Sequence, residues 1–187
     1  MSCEIPPRRR KARALMQQSS DMFPKCPIIA TTELILLMDG NAESVAGVMS
    51  TSLILVDIRS QEERDVSMIP GAITVEDFES LVKANPVAIK SRLIVPYCTI
   101  GYRSGKWGTH LVEQHGFTNV RNGEGIILWT YESSNLVSKK GDVIEPSMIV
   151  HTFGSSWDLA ADGFSTIQFG IAKYAFYGAL SLFRSSP

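Results

Sequence analysis

Two continuous apolar runs do most to limit the folds open to this 187-residue chain. Residues 53–56 read LILV and residues 93–95 read LIV, without any alternation of apolar and polar positions. A strand that is apolar at every position is typical of a parallel sheet covered by helices on both faces. Apolar residues at helical spacing predict helices over residues 75–85 and 104–116. Pro86 ends the first helix, and Gly116 ends the second. The sequence therefore predicts an α/β fold with a central, mostly parallel sheet.

Shorter elements fill the intervals between the two runs. Residues 28–30 and 117–120 are candidate strands, because each is a short run of apolar or β-branched residues. Thr31 or Thr32 is a candidate N-cap for the helix that Gly40 ends. With these additions, strands and helices alternate over the middle of the chain.

The two ends of the chain differ from this alternating middle. Residues 1–27 contain a basic cluster and paired prolines but no long apolar run, which predicts a flexible N-terminal tail. Residues 28–132 are the predicted domain, and residues 133–187 are a predicted C-terminal extension. An amphipathic helix is expected over residues 164–183, packing on its own domain or on a partner chain. Contact of that helix with a membrane surface is the alternative.

Charge and cysteine content exclude several classes of function. The net charge of −1 gives no sign of a nucleic-acid surface. Three cysteines form no CxxC pair and have no histidine at ligand spacing, so neither a disulfide framework nor a metal site is expected. A reducing compartment fits this cysteine content, and we expect a cytoplasmic protein. Nuclear or organelle targeting by the basic N-terminus is the alternative.

Cys98 stands directly after the second apolar run and its flanking Pro-Tyr pair. This position places the thiol at the carboxyl edge of the sheet, where α/β folds collect their ligands. Residues 99–104 are expected to curl around the sulfur with their backbone N–H groups inward, and Gly101 permits the turn. Arg103 and the N-terminus of the following helix add positive charge, which favours thiolate. On the loop alone, a buried cysteine acting as a small apolar residue is the alternative.

Two longer stretches of the sequence resemble a known family. One precedes the Cys98 loop, and the other includes it. Residues 55–72, LVDIRSQEERDVSMIPGA, resemble the first signature of the rhodanese-like domain. Residues 97–120, YCTIGYRSGKWGTHLVEQHGFTNV, followed by GIILW, are similar to the active loop and helix of the same family. Several matches in one order are more specific than any single motif. CTIGYRS with the later VHTFGSSW resembles single-domain members from plants, algae and cyanobacteria that have a C-terminal arm.

The resemblance implies a sulfurtransferase without a metal or organic cofactor. Cys98 would take a sulfane sulfur from a small-molecule or protein donor, thiosulfate or a persulfide, and pass it to a thiol acceptor. Arg103 is expected to steer an anionic donor. The implied substrate-binding residues are Thr99, Ile100, Gly101, Tyr102, Arg103 and Ser104. The implied supporting charge network is Asp57, Arg59 and Glu63.

Two other functions compete with sulfur transfer. A cysteine-dependent phosphatase or arsenate reductase would use the same nucleophile, but the related enzymes carry one residue more than the six from Cys98 through Arg103. A non-catalytic binding module is the other alternative. Cys3 and Cys26 lack the context of a resolving thiol, so an external acceptor is expected. The residues interpreted as core or solvated rather than catalytic are Trp107, Trp129, Trp157, His110, His115 and His151.

Overall fold

The computed structural model describes residues 5–40, 53–133, 135–140 and 143–169, with a parallel sheet at its centre. Strand β2 (Leu53–Asp57) lies between β3 (Ile73–Thr74) and β4 (Leu93–Tyr97), and both pairings are parallel. All of β4 and all but the first residue of β2 are buried, as expected for strands without polar positions. The predicted α/β fold with a mostly parallel sheet is confirmed.

The sheet continues beyond β4 through shorter pairings. β1 (Ile28–Ile29) pairs in parallel with β5 (Asn122–Gly123), and a parallel bridge joins Ile94 to Val120. The strand predicted over residues 117–120 is reduced to this bridge. In this bridge, Ile94 N donates to the Asn119 carbonyl at 2.9 Å and Arg121 N donates to the Ile94 carbonyl at 3.0 Å.

Helices cover both faces of the sheet. They are α1 (Pro7–Asp21), α2 (Thr31–Met38), α3 (Gln61–Val66), α4 (Val75–Ala84), α5 (Pro86–Lys90), α6 (Tyr102–His115) and α7 (Ile126–Glu132). Ile54 and Val56 of β2 pack with α4, α5 and α6, whereas Leu55 packs with α1, α2 and α7. Because neighbouring strand residues point to opposite faces, one apolar run supplies two cores.

The start of α2 differs from its prediction. The N-cap is Ala30, which supplies no side-chain cap, so the choice of Thr31 or Thr32 is wrong. Instead, the backbone N–H of Thr31 donates to Oε2 of Glu124 at 2.7 Å. A carboxylate from a distant loop therefore satisfies a helix end that the local sequence leaves open.

The N-terminal residues also differ from their prediction, because residues 7–21 are not a flexible tail. They form α1, in which Ala12 and Met16 are buried against the domain. Arg9 forms an ion pair with Glu132 at the end of α7. The charges that suggested a solvated segment lie on the outer side of α1, and two apolar residues four apart hold its inner side.

The C-terminal extension folds back onto the domain. β6 (Val137–Lys140) pairs antiparallel with β7 (Val143–Pro146), and β8 (Ile149–His151) pairs in parallel with β9 (Ser165–Ile167). Met68 N donates to the Val137 carbonyl at 2.6 Å.

We refer to residues 143–169 as the arm. Ser147 Oγ donates to the Val66 carbonyl at 3.0 Å, and Tyr131 OH donates to the Leu159 carbonyl at 2.7 Å, so hydrogen bonds tie the arm to the domain. Trp157 is partly buried against the core on the α7 side.

The helix predicted over residues 164–183 falls largely outside the described residues. Its first described residues form β9 rather than helix. Within the described ranges, no helix combines the length and apolar character that crossing a membrane requires.

Candidate active site

A tight turn after β4 brings Cys98 to the N-terminal end of α6. Gly101 adopts φ +91°, a left-handed conformation that side-chain-bearing residues rarely take, and α6 begins at Tyr102. The predicted start near Ser104 is two residues late. A Cβ at Gly101 would lie 2.2 Å from Sδ of Met16, so α1 presses directly on the turn. Only glycine fits this position.

The Cys98 sulfur is enclosed by hydrogen-bond donors. Its side chain is 2% exposed. The backbone N–H of Gly101 donates to Sγ at 3.2 Å, and Ser104 Oγ donates to it at 3.5 Å. These donors favour a negatively charged sulfur over a neutral thiol.

The carbonyl groups of the same loop turn away from the sulfur toward α7. Ile126 N donates to the Cys98 carbonyl at 2.9 Å, and Ile127 N donates to the Thr99 carbonyl at 3.3 Å. Gly125 makes this approach possible, because a Cβ there would lie 2.5 Å from the Thr99 oxygen. The N-terminus of α7 therefore binds the loop carbonyls and leaves the inner side of the loop to N–H groups.

The electrostatic balance at Cys98 favours thiolate. Burial acts to raise the pKa of Cys98, but the charge of Arg103 and the hydroxyl of Ser104 act against it. Backbone hydrogen bonds from Ser104 and Ile100 act in the same direction, and the net effect is a lowered pKa. A thiolate is the form of cysteine that attacks sulfur or other electrophiles.

Arg103 is held by a fork-shaped ion pair rather than standing free. Its Nη1 and Nη2 donate to the two carboxylate oxygens of Glu63 at 2.7 and 2.8 Å. Nη2 also lies 3.3 Å from Thr99 Oγ1. Burial acts to raise the pKa of Glu63, but hydrogen bonds from Arg103 and His151 hold it well below its usual range. Glu63 is therefore ionised and orients the guanidinium.

The other two predicted supporting residues form a separate buried pair. Arg59 donates to Asp57 through Nε at 2.9 Å and Nη2 at 2.6 Å, and to the Ser67 carbonyl at 2.5 Å. Tyr97 OH donates to Asp57 at 2.5 Å. Asp57 and Arg59 are almost completely buried. Asp57 and Arg59 stabilise the ends of β2 and β4 beside the loop. Glu63 does not belong to this pair and contacts Arg103.

The loop side chains divide into a buried set and an exposed rim. Thr99 and Ile100 are 2% and 6% exposed and point into the protein. Tyr102 is 46% exposed and makes an edge contact with Phe23, whose ring centroid is 5.4 Å away. With Arg103, Tyr102 is the part of the predicted substrate-binding set that a molecule in solution meets first.

Two residues of the arm reach the site, and the sequence prediction missed both. His151, interpreted as structural or solvated, is fully buried with Nδ1 3.3 Å from Oε1 of Glu63. The ring of Phe153 lies with its centroid 4.4 Å from Cζ of Arg103. The contact between His151 and Glu63 spans 88 residues, so no local pattern reveals it. The stretch VHTFGSSW is the one signal that pointed to this segment.

Cys26 and the remaining histidines lie outside the site. Cys26 is a free, fully buried thiol, and burial raises its pKa to about 12. His110 and His115 are exposed on α6 and contact each other. Among the described residues, no group of three histidines, cysteines or carboxylates is arranged to hold a metal ion.

Several solved structures are similar to this chain. Thiosulfate sulfurtransferase from Pseudomonas aeruginosa matches with a TM-score of 0.50 at 21% identity, over 72% of this chain and 24% of that chain. BH2092 protein from Bacillus halodurans has a TM-score of 0.47 at 18% identity, over 83% of this chain and 93% of that chain. The human single-domain sulfurtransferase TSTD1 has a TM-score of 0.42 at 25% identity, over 58% of this chain and 99% of that chain.

Sequence comparison identifies the family of the central region. A search of curated proteins found no match to the chain. The family profile of the rhodanese-like domain matches residues 41–127, which lie inside the predicted domain of residues 28–132. The wider bounds stay a prediction, and the likeness to the Pseudomonas enzyme is one of fold. The Cys98 loop, the strands beside it and α6 all fall within the matched region. Residues 41–127 of this chain are therefore a rhodanese-like domain.

Proposed function

We propose that this protein is a sulfurtransferase that carries sulfur as a persulfide on Cys98. The observation that carries the proposal is the sulfur's environment: Sγ accepts from Gly101 N at 3.2 Å and from Ser104 Oγ at 3.5 Å. The charge of Arg103 adds to these donors, and the pKa of Cys98 is lowered despite its burial. A cysteine placed in this way is suited to attack and then to hold a second sulfur.

In the first half-reaction, the Cys98 thiolate attacks the outer sulfur of a donor. With a persulfide donor R–S–SH, a bond forms between Cys98 Sγ and that sulfur while the donor's S–S bond breaks. The electron pair of the broken bond leaves with R–S⁻, and the proton stays on the transferred sulfur. With thiosulfate, sulfite leaves instead, and the new terminal sulfur carries the charge.

In the second half-reaction, an acceptor thiolate attacks the terminal sulfur of the Cys98 persulfide. The Cys98–S bond breaks, its electron pair returns to Cys98 Sγ, and the thiolate is regenerated. With a persulfide or thiosulfate donor, every step exchanges one S–S bond for another, so the cycle needs no external oxidant or reductant. The partners proposed are a small-molecule or protein donor and a thiol acceptor.

The loop suits the charge that develops during these steps. A persulfide ionises more readily than a thiol, and inward N–H groups with the Ser104 hydroxyl can bind a terminal sulfur anion. Thr99 and Ile100 are buried, so the loop is packed firmly against the protein. Cys26 and Cys98 are both free thiols, which supports a reducing compartment such as the cytoplasm.

Mass spectrometry tests the proposal directly. After incubation with thiosulfate, mercaptopyruvate or a low-molecular-weight persulfide, we expect Cys98 to gain one sulfur, about 32 Da. Cys98→Ser should abolish the gain, whereas the matched variant Cys26→Ser should retain it. A wild-type protein that gains no sulfur from any of the three donors would refute the proposal.

The same protein preparation separates sulfur transfer from oxyanion chemistry. Turnover of an aryl phosphate, or of arsenate with added thiol, should be absent. Turnover that disappears in Cys98→Ser would assign the nucleophile to phosphoryl or arsenate chemistry instead. This outcome keeps Cys98 as the reacting group and changes only its substrate.

A further inference from the structure

The arm lies against the ion pair that faces the Cys98 loop. Backbone hydrogen bonds fix the course of the arm. Thr152 N donates to the Ile167 carbonyl at 2.9 Å, and Ser165 N donates to the Met148 carbonyl at 2.8 Å. These bonds bracket His151, which is therefore held in place, and Phe153 follows directly after Thr152.

His151 contacts the same carboxylate as Arg103. Its Nδ1 lies 3.3 Å from Oε1 of Glu63, the oxygen that also accepts from Nη2 of Arg103. Because an ionised carboxylate only accepts hydrogen bonds, Nδ1 carries the proton and donates it. The ring stacks on Phe169 with a centroid distance of 4.2 Å and an interplanar angle of 25°, which fixes its orientation.

Phe153 touches the guanidinium itself. Its ring centroid lies 4.4 Å from Cζ of Arg103, within the range of a cation–π contact. The same ring makes an edge contact with His151 at 5.5 Å. Both members of the Glu63–Arg103 pair are thus held by neighbouring residues of one short segment.

We propose that His151 and Phe153 are positioning residues that hold the Arg103 charge beside the Cys98 sulfur. They act through Glu63 and Arg103, whose forked contact leaves little freedom once the arm covers it. This inference rests on the proposed function in one respect, that Cys98 is the reacting nucleophile.

The test follows the reactivity of the Cys98 thiol as the pH changes. The rate of Cys98 alkylation by iodoacetamide is measured over a pH series, with the modified peptide quantified by mass spectrometry. His151→Leu removes the donor to Glu63, and we expect its alkylation midpoint to rise by about half to one pH unit. His151→Asn keeps an N–H near the place of Nδ1 and should restore most of the wild-type midpoint.

A second pair of variants separates positioning from general loosening of the arm. Phe153→Leu removes the ring face from Arg103 but keeps an apolar side chain at a position that is 36% exposed. Its midpoint should rise by about a third of a pH unit. Met148→Ala, at a residue of the arm that is 44% exposed, is the matched control and should leave the midpoint unchanged.

The outcomes are decisive in both directions. A higher midpoint in His151→Leu that His151→Asn reverses supports the proposal, and an unchanged midpoint in folded His151→Leu overturns it. If His151→Leu does not fold, the alkylation midpoint of Phe153→Leu decides instead. A raised midpoint supports the proposal, and an unchanged midpoint overturns it. Alkylation needs no sulfur donor, so this inference and sulfur transfer can fail separately.

Discussion

Cys98 and Cys26 are both buried free thiols, yet their pKa values move in opposite directions. Cys98 is 2% exposed and its pKa is lowered, whereas Cys26 is 0% exposed and its pKa rises to about 12. Burial disfavours the thiolate in both cases. The difference between the two cysteines must therefore come from what surrounds each sulfur.

The surroundings differ in charge and in hydrogen-bond donors. Cys26 packs among apolar side chains, and its sulfur would lie 2.3 Å from a Cβ placed on Gly108. Burial raises the pKa of Cys26, and the charge of Arg121 acts to lower it but is outweighed. Cys98 has two hydrogen-bond donors within 3.5 Å and the charge of Arg103. Burial thus makes a cysteine inert only where no donors accompany it.

Removing each sulfur in turn should give the largest difference between the two sites. Cys98→Ser should lower sulfur-transfer turnover at least about a thousandfold, because the nucleophile is lost. Cys26→Ser should keep turnover within about twofold, since the Cys26 thiol is fully buried in an apolar cluster and its pKa is raised. Steady-state assays with a persulfide donor measure both rates. A large loss of turnover in folded Cys26→Ser would mean that both thiols take part.

Removing the charge beside Cys98 should bring the pKa values of the two cysteines closer together. Arg103→Met should raise the pKa of Cys98 by about one to two units, because an adjacent cation is lost. The rate of alkylation at pH values below the new pKa should fall in proportion to the thiolate fraction. Arg103→Lys keeps the charge but not the forked contact with Glu63, so its pKa should lie between those of wild type and Arg103→Met.

The structural role of Cys26 can be tested through its neighbour on α6. Gly108→Ala places a Cβ against Cys26 Sγ and should lower the free energy of unfolding by about 1–3 kcal/mol. Adding Cys26→Ala removes the clashing sulfur and should recover part of that loss. Chemical denaturation measures both values. Equal stability of Gly108→Ala and wild type would show that the contact is not tight.

Among these variants, the smallest expected change in the Cys98 pKa comes from removing one weak hydrogen-bond donor. Ser104→Ala removes the hydroxyl that lies 3.5 Å from Cys98 Sγ. Loss of this hydrogen bond should raise the Cys98 pKa by about half a unit. The pH dependence of alkylation measures the shift, and Ser91→Ala on the exposed end of α5 serves as its control. A lower pKa in Ser104→Ala would reverse the role given to the hydroxyl.

Local sequence patterns predicted the secondary-structure elements that depend on a single local feature. Residues 53–56 and 93–95 are apolar at each position, and both became buried parallel strands. Gly116 ends α6 in a left-handed conformation, as a glycine at this position indicates. The helix α1 was missed because its buried apolar residues, Ala12 and Met16, stand in a segment dominated by charge.

The site was predictable only where its residues share one loop. Cys98 and its hydrogen-bond donors belong to one short stretch, so the sequence alone predicted donors around the sulfur. The pairing of Glu63 with Arg103 spans 40 residues, and the prediction grouped Glu63 with Asp57 and Arg59 instead. The contacts of His151 and Phe153 depend on how the arm folds back. No periodicity or spacing records such a long-range contact.

The most direct test is the titration of both cysteines in the wild-type protein. Alkylation of the Cys98 and Cys26 peptides is followed over one pH series by mass spectrometry. We predict a midpoint for Cys98 below the value of about 8.5 for an ordinary cysteine, with Cys26 protected through that range. A Cys98 midpoint at or above that value, or parallel titration of the two cysteines, would contradict the account.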